Sequence, residues 1–385
     1  MLKKIALFFD RPYIDAHFCF REMVIHFLDS GWQVDLYMPF SLTHPLPSLR
    51  HEHLSVNLYQ RSRYKLLKLL RQLSCWGSSH KYQAIIATPQ WALYWAARVG
   101  KLFNIPIICL SDEVYTHQKV QWSIAQKNLS EADAVKWKHR EAWANQQCLF
   151  TIALSKERFK LTKKENCLPD DHPCIVTPNA PAKQSSIESS FYRETLNISE
   201  NQSILLHSGS GAWSLIDSVL AQASEWSQSI HVVLQGRYRG TLSGKQQAEN
   251  ISISPWVLPA EMMHYATSSA DIGLMLYNRN DPEESRNGGT AGKLGLYLSC
   301  GLPLICCNIE SLRWVDKEGC GCWIEDVTAI PAAVEKIMNN YDEYSQNSQR
   351  IYLERFEYSK HFVELVNLVD SLSINELRQH SLNAT

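Results

Sequence analysis

A glycine-rich stretch followed by an apolar run constrains the fold of this chain more than any other part of its sequence. Residues 288–293 (GGTAGK) lead into residues 294–300 (LGLYLSC), whose apolar side chains have helical spacing. Gly301 is the expected end of that helix, and Pro303 prevents the helix from resuming. Residues 304–307 (LICC) then form an apolar run short enough for a buried parallel strand. The stretch therefore predicts an α/β protein with a parallel sheet.

The same stretch has the features of a phosphate-binding site. A glycine-rich loop before a helix leaves backbone N–H groups free at the positive end of the helix dipole. A lysine in the first turn is a poor partner for that dipole and is better placed facing an anion. The alternative is a surface loop whose glycines only permit a sharp turn, and the local pattern favours neither interpretation. The candidate donor-binding residues here are Gly288, Gly289, Thr290, Gly292 and Lys293.

Residues 292–305 (GKLGLYLSCGLPLI) resemble the segment GKLxxYLxxGLPVI of GT-B glycosyltransferases, especially family 4-like bacterial enzymes. The resemblance implies two Rossmann-like domains facing across a cleft, with a C-terminal helix returning to the first domain. It also implies that this loop holds the diphosphate of a nucleotide-sugar donor. Many family members carry a pair of glutamates, E-x7-E, one of which binds the donor ribose. This chain departs from that pattern, because Gly288 and Leu296 occupy the two positions.

Length and patterning predict the domain boundaries. At 385 residues the chain is long enough for two domains with separate cores. We expect an acceptor domain over 1–181, a nucleotide-sugar donor domain over 200–345, and a helical tail over 346–385 that packs towards the first domain. Residues 182–200 lose the apolar pattern and are the expected linker. The apolar face of the tail is expected from Phe356, Phe362, Leu365 and Leu368.

The charges divide unevenly between the two halves. Residues 1–180 hold 23 Lys+Arg and 15 Asp+Glu, whereas the remainder holds 15 and 24. This asymmetry supports two domains with different partners. No nucleic-acid recognition motif accompanies the basic half, so nucleic acid is not an expected partner.

The cysteines and the N-terminal run bear on cellular location. The 11 cysteines are odd in number and scattered, and they show neither a CxxC pair nor zinc-ligand spacing. We therefore expect reduced, mostly buried thiols, no metal site and a cytoplasmic protein. Residues 5–9 (IALFF) are shorter than a signal-peptide core of about 7–15 residues, and they predict a first buried strand instead.

Three polar side chains of the first half follow predicted strands. In open α/β sheets the C-terminal ends of the strands face the ligand crevice. His17, after the first strand, is either an acceptor-side base or a packed residue in the first turn of the next helix. The strand 105–110 ends in Asp112 and Glu113, where several family 4 enzymes carry a His-Asp pair. One of these two carboxylates would have to act there, as catalyst or as hydrogen-bonding scaffold.

The second half offers further donor-binding candidates at the ends of predicted strands and in the loop before the glycine-rich stretch. A Gly-x-Gly turn after the strand 203–207 is compatible with phosphate but is a weak signal alone. The arginine after the strand 230–234 either clamps a phosphate or lies on the surface. Two adjacent glutamates either contact the sugar or belong to a solvated loop. These candidates are Gly209, Ser210, Gly211, Arg237, Glu283 and Glu284.

Residues 61–76 (RSRYKLLKLLRQLSCW) form a basic amphipathic pattern with leucines on the opposite side. Such a helix is typical of contact with an anionic membrane surface. The alternative is a crossover helix that packs its leucines on the sheet and leaves its basic face in solvent, and both interpretations can hold together.

The leading hypothesis is a metal-independent glycosyltransferase that moves a hexosyl group from a nucleotide-diphosphate donor to an acceptor hydroxyl. We expect a UDP- or GDP-sugar as co-substrate, no cofactor, and a glycan, a lipid-linked molecule or a small molecule as acceptor. The protein would be cytoplasmic, or peripheral on the inner face of the membrane. Two alternatives stay open: a GT-B enzyme of other chemistry, such as an epimerase or phosphorylase, and a non-catalytic GT-B subunit that scaffolds or regulates a partner.

Overall fold

The computed structural model describes residues 3–42, 47–59, 82–114, 116, 130–184, 187–209, 215–236, 248–254, 256–277 and 288–372. Contacts along the chain divide it into two units. The first comprises Met1–Pro178 together with Ser359–Thr385, and the second comprises Asn179–Tyr358. The division places residues 346–358, which we expected in the tail, with the second unit. Phe356 accordingly packs against the core of the second unit, whereas Phe362 and Leu365 are buried in the last helix.

The first unit is built on a seven-stranded sheet in which every pairing is parallel. Strands such as Lys4–Phe9 and Ala84–Thr88 are buried along their whole length, because helices cover both faces of a parallel sheet. The strand order is β3-β2-β1-β4-β5-β6-β7. The strands are β1 (Lys4–Phe9), β2 (Gln33–Pro39), β3 (Leu54–Tyr59), β4 (Ala84–Thr88), β5 (Ile107–Ser111), β6 (Phe150–Ala153) and β7 (Cys174–Val176).

The second unit contains a six-stranded, all-parallel sheet in the order β10-β9-β8-β11-β12-β13. Its core is formed by the apolar strands that the sequence predicts, including the LICC run at residues 304–307. The strands are β8 (Ser203–Ser208), β9 (Ile230–Gln235), β10 (Ile251–Ser254), β11 (Ile272–Met275), β12 (Leu304–Cys307) and β13 (Gly321–Ile324).

Twelve α-helices are found in the described residues. Ser130 and Ser155 cap two of them, each accepting a hydrogen bond from the backbone N–H three residues on. Gly301 has a φ of 73° just past the helix before it, as the sequence predicts. The helices are α1 (Phe18–Asp29), α2 (Gln90–Phe103), α3 (Glu131–Gln146), α4 (Lys156–Glu165), α5 (Phe191–Leu196), α6 (Ile216–Gln222), α7 (Ala260–Thr267), α8 (Gly292–Ser299), α9 (Trp314–Lys317), α10 (Ile330–Met338), α11 (Tyr341–Ile351) and α12 (Tyr358–Ser371).

The strand order reverses direction once in each sheet. In the first unit the reversal falls between β1 and β4, and in the second it falls between β8 and β11. In open parallel sheets a ligand crevice lies outside the carboxyl ends of the strands at such a point. The strand order therefore predicts ligand-binding residues after β1, β4 and β5 in the first unit and after β8 in the second.

Two local predictions need correction. The linker expected over 182–200 is wrong in its second half, because helix α5 lies there and Tyr192 is fully buried in the core of the second unit. Strand β3 is absent from the sequence prediction. Its side chains at the sheet edge are half-exposed, with Val56 and Leu58 at 36% and 41%, so the segment lacks the continuous apolar run of the buried strands.

None of the ten cysteines in the described part of the chain forms a disulfide, and Cys167 among them is exposed. Across the same residues, no helix is both long and apolar enough to cross a bilayer. The basic segment 61–76 lies outside the described residues.

Candidate functional site

Polar side chains from the ends of β1 and β5 meet at the reversal point of the first sheet. The Arg11 guanidinium, which follows β1, lies 3.0 Å from a carboxylate oxygen of Asp112 and 2.9 Å from one of Glu113. The Thr88 hydroxyl, at the end of β4, donates to the other oxygen of Asp112. The two carboxylates singled out in the sequence are therefore joined by one arginine.

Asp112 is also fixed through its backbone. Arg158, near the start of α4, donates a hydrogen bond from its guanidinium to the carbonyl oxygen of Asp112. Burial lowers the pKa of Arg11, but the charges of Asp112 and Glu113 outweigh that effect and raise it overall. Arg11 is thus cationic at every accessible pH, and the cluster holds a fixed arrangement of charge.

His17 lies beside this cluster, in the position immediately before helix α1. Its ring is half-buried and contacts Phe9 edge-on, with the ring centroids 4.9 Å apart. Burial, with a smaller contribution from the charge of Arg11, lowers the pKa of His17 to about 3, against a small opposing effect of Glu113. The imidazole is therefore neutral at physiological pH and carries a lone pair that can accept a proton.

In the second unit, Lys293 at the start of α8 reaches the end of β8. Its ammonium group lies 3.1 Å from Nε2 of His207 and 5.0 Å from the centroid of the Tyr277 ring. His207 is fully buried, and burial together with the charge of Lys293 lowers its pKa well below the ordinary 6.5. The neutral imidazole thus accepts a hydrogen bond from the ammonium group, which fixes Nδ1 as the protonated nitrogen.

Tyr297 ties α8 to the same strand end. Its hydroxyl donates to the Leu206 carbonyl at 3.1 Å and accepts from the Ser208 N–H at 2.7 Å. Its ring lies against Gly273 of β11, where an added Cβ would come within 2.4 Å of Cδ2. Lys293 and Tyr297 consequently tie α8 to the C-terminal end of β8.

Two glycines of the loop before α8, Gly288 and Gly289, pack closely against the residues around Ile309 and Ser311. A Cβ at Gly288 would lie 2.5 Å from Cδ1 of Ile309, and one at Gly289 would lie 2.9 Å from the Ser311 carbonyl oxygen. The carbonyl of Thr290 accepts a hydrogen bond from the Asn179 amide at 3.4 Å. A glutamate at position 288 would therefore require the Ile309 side chain to move.

Leu296 occupies the other position of the family's glutamate pair. It is 2% exposed and lies on the packed side of α8. Neither position of that pair therefore carries an acid, so ribose recognition of the family's kind has no counterpart at these two residues.

The structure brings several predicted residues together and leaves others untested. His17 lies beside the Asp112 and Glu113 cluster, and Gly209 directly follows β8, the strand whose His207 meets Lys293. Sequence reasoning missed Arg11, Thr88, Arg158, His207 and Tyr277. All of these except Arg158 stand within two residues of the C-terminal end of a strand, which is the signal that could have found them. The predicted residues Ser210, Gly211, Arg237, Glu283 and Glu284 lie outside the described residues.

Comparisons with known proteins agree with this architecture. Residues 219–355 match the family described as Glucosyltransferase 3-like, C-terminal domain. A search of curated proteins finds no match. Sucrose-phosphate synthase from Thermosynechococcus elongatus superimposes with a TM-score of 0.70 at 13% identity, covering 96% of this chain and 99% of that one.

Two further solved structures have the same organisation. Anabaena HepE in complex with UDP and glucose gives a TM-score of 0.67 at 13% identity, over 96% of this chain and all of the other. This chain has the GT-B fold. The Arabidopsis thaliana enzyme UGT89C1, complexed with UDP-L-rhamnose, gives 0.59 at 13% identity, over 96% and 99%. The predicted resemblance to GT-B glycosyltransferases is confirmed, and membership of family 4 stays a prediction.

Proposed function

We propose that this GT-B protein transfers a hexosyl group from UDP-glucose or a related nucleoside-diphosphate sugar to an acceptor hydroxyl. The observation that carries the proposal is the position of Lys293, whose ammonium group is fixed by His207 and Tyr277 at the N-terminus of α8. A cation and free N–H groups at one point stabilise a leaving diphosphate electrostatically. The UDP and UDP-glucose complexes of HepE support UDP-glucose as the first donor to test.

The donor contacts that we propose come from the loop and first turn of the second unit. Gly288 and Gly289 let the backbone fold tightly, while Gly292 and Lys293 present N–H groups and a charge to the diphosphate. Because these groups neutralise the leaving charge, the reaction we propose needs no metal ion. The expected contacts of Arg237, Glu283 and Glu284 stay part of the proposal.

On the acceptor side we propose His17 as the proton acceptor. Both carboxylate oxygens of Asp112 are engaged, one by Arg11 and one by Thr88. The neutral imidazole of His17 carries a lone pair and lies beside that cluster. A developing negative charge on the acceptor or donor would raise the pKa of His17 during reaction, and Asp112 with Glu113 would orient the acceptor through hydrogen bonds.

A second function is favoured by one specific observation. The two glutamate positions of the family pattern are a tightly packed glycine and a buried leucine, Gly288 and Leu296. A chain that binds a nucleoside diphosphate without transferring sugar would fit a GT-B subunit that scaffolds or regulates a partner.

One pair of experiments separates the two functions. Thermal unfolding with UDP, GDP, ADP and CMP measures binding, since a ligand at 100 times its Kd adds about 2.7 kcal/mol of stability. Release of glucose from radiolabelled UDP-glucose, with and without pools of glycan and lipid-linked acceptors, measures catalysis. Binding with sugar release supports the transferase, binding without any release supports the scaffold, and no shift with any nucleotide contradicts both.

A further inference from the structure

Helices α2 and α3 of the first unit form a shallow pocket of about 850 Å³ that none of the chemistry above uses. The pocket is open to solvent, and its walls are mainly apolar and aromatic. Three cations stand among these walls, at Arg98, Lys101 and Arg140. The aromatic side chains are Tyr94, Trp95 and Trp143.

The two arginines are stacked on the aromatic rings. The guanidinium carbon of Arg98 lies 5.5 Å from the Trp95 ring centroid, and that of Arg140 lies 5.0 Å from Tyr94 and 4.7 Å from Trp137. Stacking uses the face of a guanidinium and leaves its N–H edge available for a planar or tetrahedral anion. Neither arginine contacts a carboxylate in the described part of the chain.

The charge around the pocket has one sign. Helix α2 contains no Asp or Glu, and no acidic side chain lines the pocket within the described residues. Glu141 of α3 is buried and pairs with Lys138 at 3.2 Å, while Glu131 and Asp133 stand in the first turn of that helix. The pocket therefore attracts anions.

Large apolar side chains stand exposed on the same two helices. Leu102, at the end of α2, is 73% exposed and Val135 is 46% exposed. Exposed apolar groups beside cations, with tryptophan and tyrosine between them, have the composition of a membrane–water interface. A symmetric contact between two copies of this face would set arginine against arginine, which disfavours a dimer.

We propose that the α2–α3 face binds the surface of an anionic lipid bilayer. Headgroup phosphates accept hydrogen bonds from Arg98 and Arg140, and Lys101 adds long-range attraction. Leu102 enters the boundary between headgroups and acyl chains, next to the Trp95 ring that lines the pocket. The inference is independent of the proposed sugar transfer, because it involves none of the residues assigned to donor or acceptor.

The test is sedimentation of the full-length protein with sucrose-loaded vesicles. One set contains phosphatidylglycerol and phosphatidylcholine in equal amounts, and the other contains phosphatidylcholine alone. The double variant Arg98→Glu/Arg140→Glu is compared with Lys160→Glu/Lys317→Glu, which reverses the same number of positive charges at two exposed lysines outside the pocket. Leu102→Asp tests the apolar contact, and circular dichroism checks that each variant is folded.

We expect binding to the anionic vesicles only, weakened by added salt. The partition coefficient should fall about tenfold or more in the arginine variant and stay near wild type in the lysine control. Brominated acyl chains should quench tryptophan fluorescence in the wild type and not in Leu102→Asp. Absence of binding to anionic vesicles would overturn the proposal in favour of a protein partner. Equal losses of vesicle binding in the two double variants would also overturn it.

Discussion

The ammonium group of Lys293 lies 3.1 Å from Nε2 of His207, which is fully buried at the end of β8. A buried histidine beside a lysine stays neutral, because protonation would place two cations side by side without water. The imidazole can then only accept a hydrogen bond from the ammonium group at this nitrogen. The contact with His207 therefore fixes the position of the Lys293 ammonium group, which would be mobile if the side chain were solvated.

Replacing Lys293 by methionine should weaken UDP binding. Hydrogen bonds to charged groups contribute about 1.5–3 kcal/mol, which corresponds to a rise in Kd of roughly 10- to 150-fold. Isothermal titration calorimetry with UDP measures this change. Lys317→Met removes an exposed lysine of the same unit and should bind as the wild type does. An unchanged Kd in Lys293→Met would remove the basis of the proposed donor site.

Two substitutions at His207 should separate positioning from packing. His207→Gln keeps an acceptor for the lysine, whereas His207→Leu fills the space without one. We expect UDP affinity to fall about tenfold in His207→Leu, as a hydrogen bond of about 1–1.5 kcal/mol is lost, and to be largely restored in His207→Gln. If both variants lose affinity equally, His207 acts only through packing.

His17→Ala should lower kcat while leaving the Kd for UDP unchanged. A positioned general base contributes about 10²–10⁴-fold to the rate, and His17 belongs to the first unit, whereas the proposed donor contacts come from the second. His172→Ala is the matched control, since His172 is another histidine of the first unit whose pKa is lowered by burial. Steady-state rates of sugar transfer give kcat for both variants. A His17→Ala enzyme with wild-type kcat would exclude His17 as the base.

Acid should destabilise the second unit through His207. Its pKa is lowered in the folded state, so below pH 6.5 the unfolded chain binds a proton that the folded chain does not. Stability therefore falls as the pH drops below 6.5, by up to about 1.4 kcal/mol per pH unit for this one group. Urea unfolding at pH 7.5 and pH 5 should show a smaller loss in His207→Gln than in the wild type. Equal losses would mean that His207 is protonated in the folded protein.

Gly295→Ala should destabilise the protein, although alanine is the better helix former by about 1 kcal/mol. An added Cβ at Gly295 would lie 2.4 Å from the Cβ of Ala180, which is fully buried. Overpacking of this kind costs about 1–3 kcal/mol.

A double-mutant cycle checks the reason for this loss. Ala180→Gly removes the nearest atom that Gly295→Ala would meet and leaves the Cα of residue 180 at 2.8 Å and the Asn179 carbonyl oxygen at 2.9 Å, so the two changes together should cost less than the sum of their separate effects. If the two changes in the free energy of unfolding, measured with urea, are additive, contact with Ala180 does not fix the position of α8.

The sequence determined most elements of this fold because they depend on local patterns, whereas the half-exposed β3 and helix α5 were not predicted. Strands β1, β4 and β12 are continuous apolar runs, and such runs are buried wherever the sheet places them. Gly301 ends α8 because glycine readily adopts the positive φ that follows a helix, a preference that does not depend on neighbouring residues. The order of strands and helices was sufficient to indicate two parallel sheets, and the segment 292–305 indicated the GT-B fold.

The tertiary structure alone decided which polar groups meet. In the sequence, His207 is only the last residue of a predicted apolar strand. Its role follows from its contact with Lys293, which is 86 residues away in the chain. Arg11 and Asp112 are likewise joined across 101 residues. The crowding around Gly288 comes from Ile309 and Tyr277, which the local motif does not contain. Local sequence fixes backbone preference, whereas charge pairing, desolvation and close packing depend on residues that only the folded chain brings together.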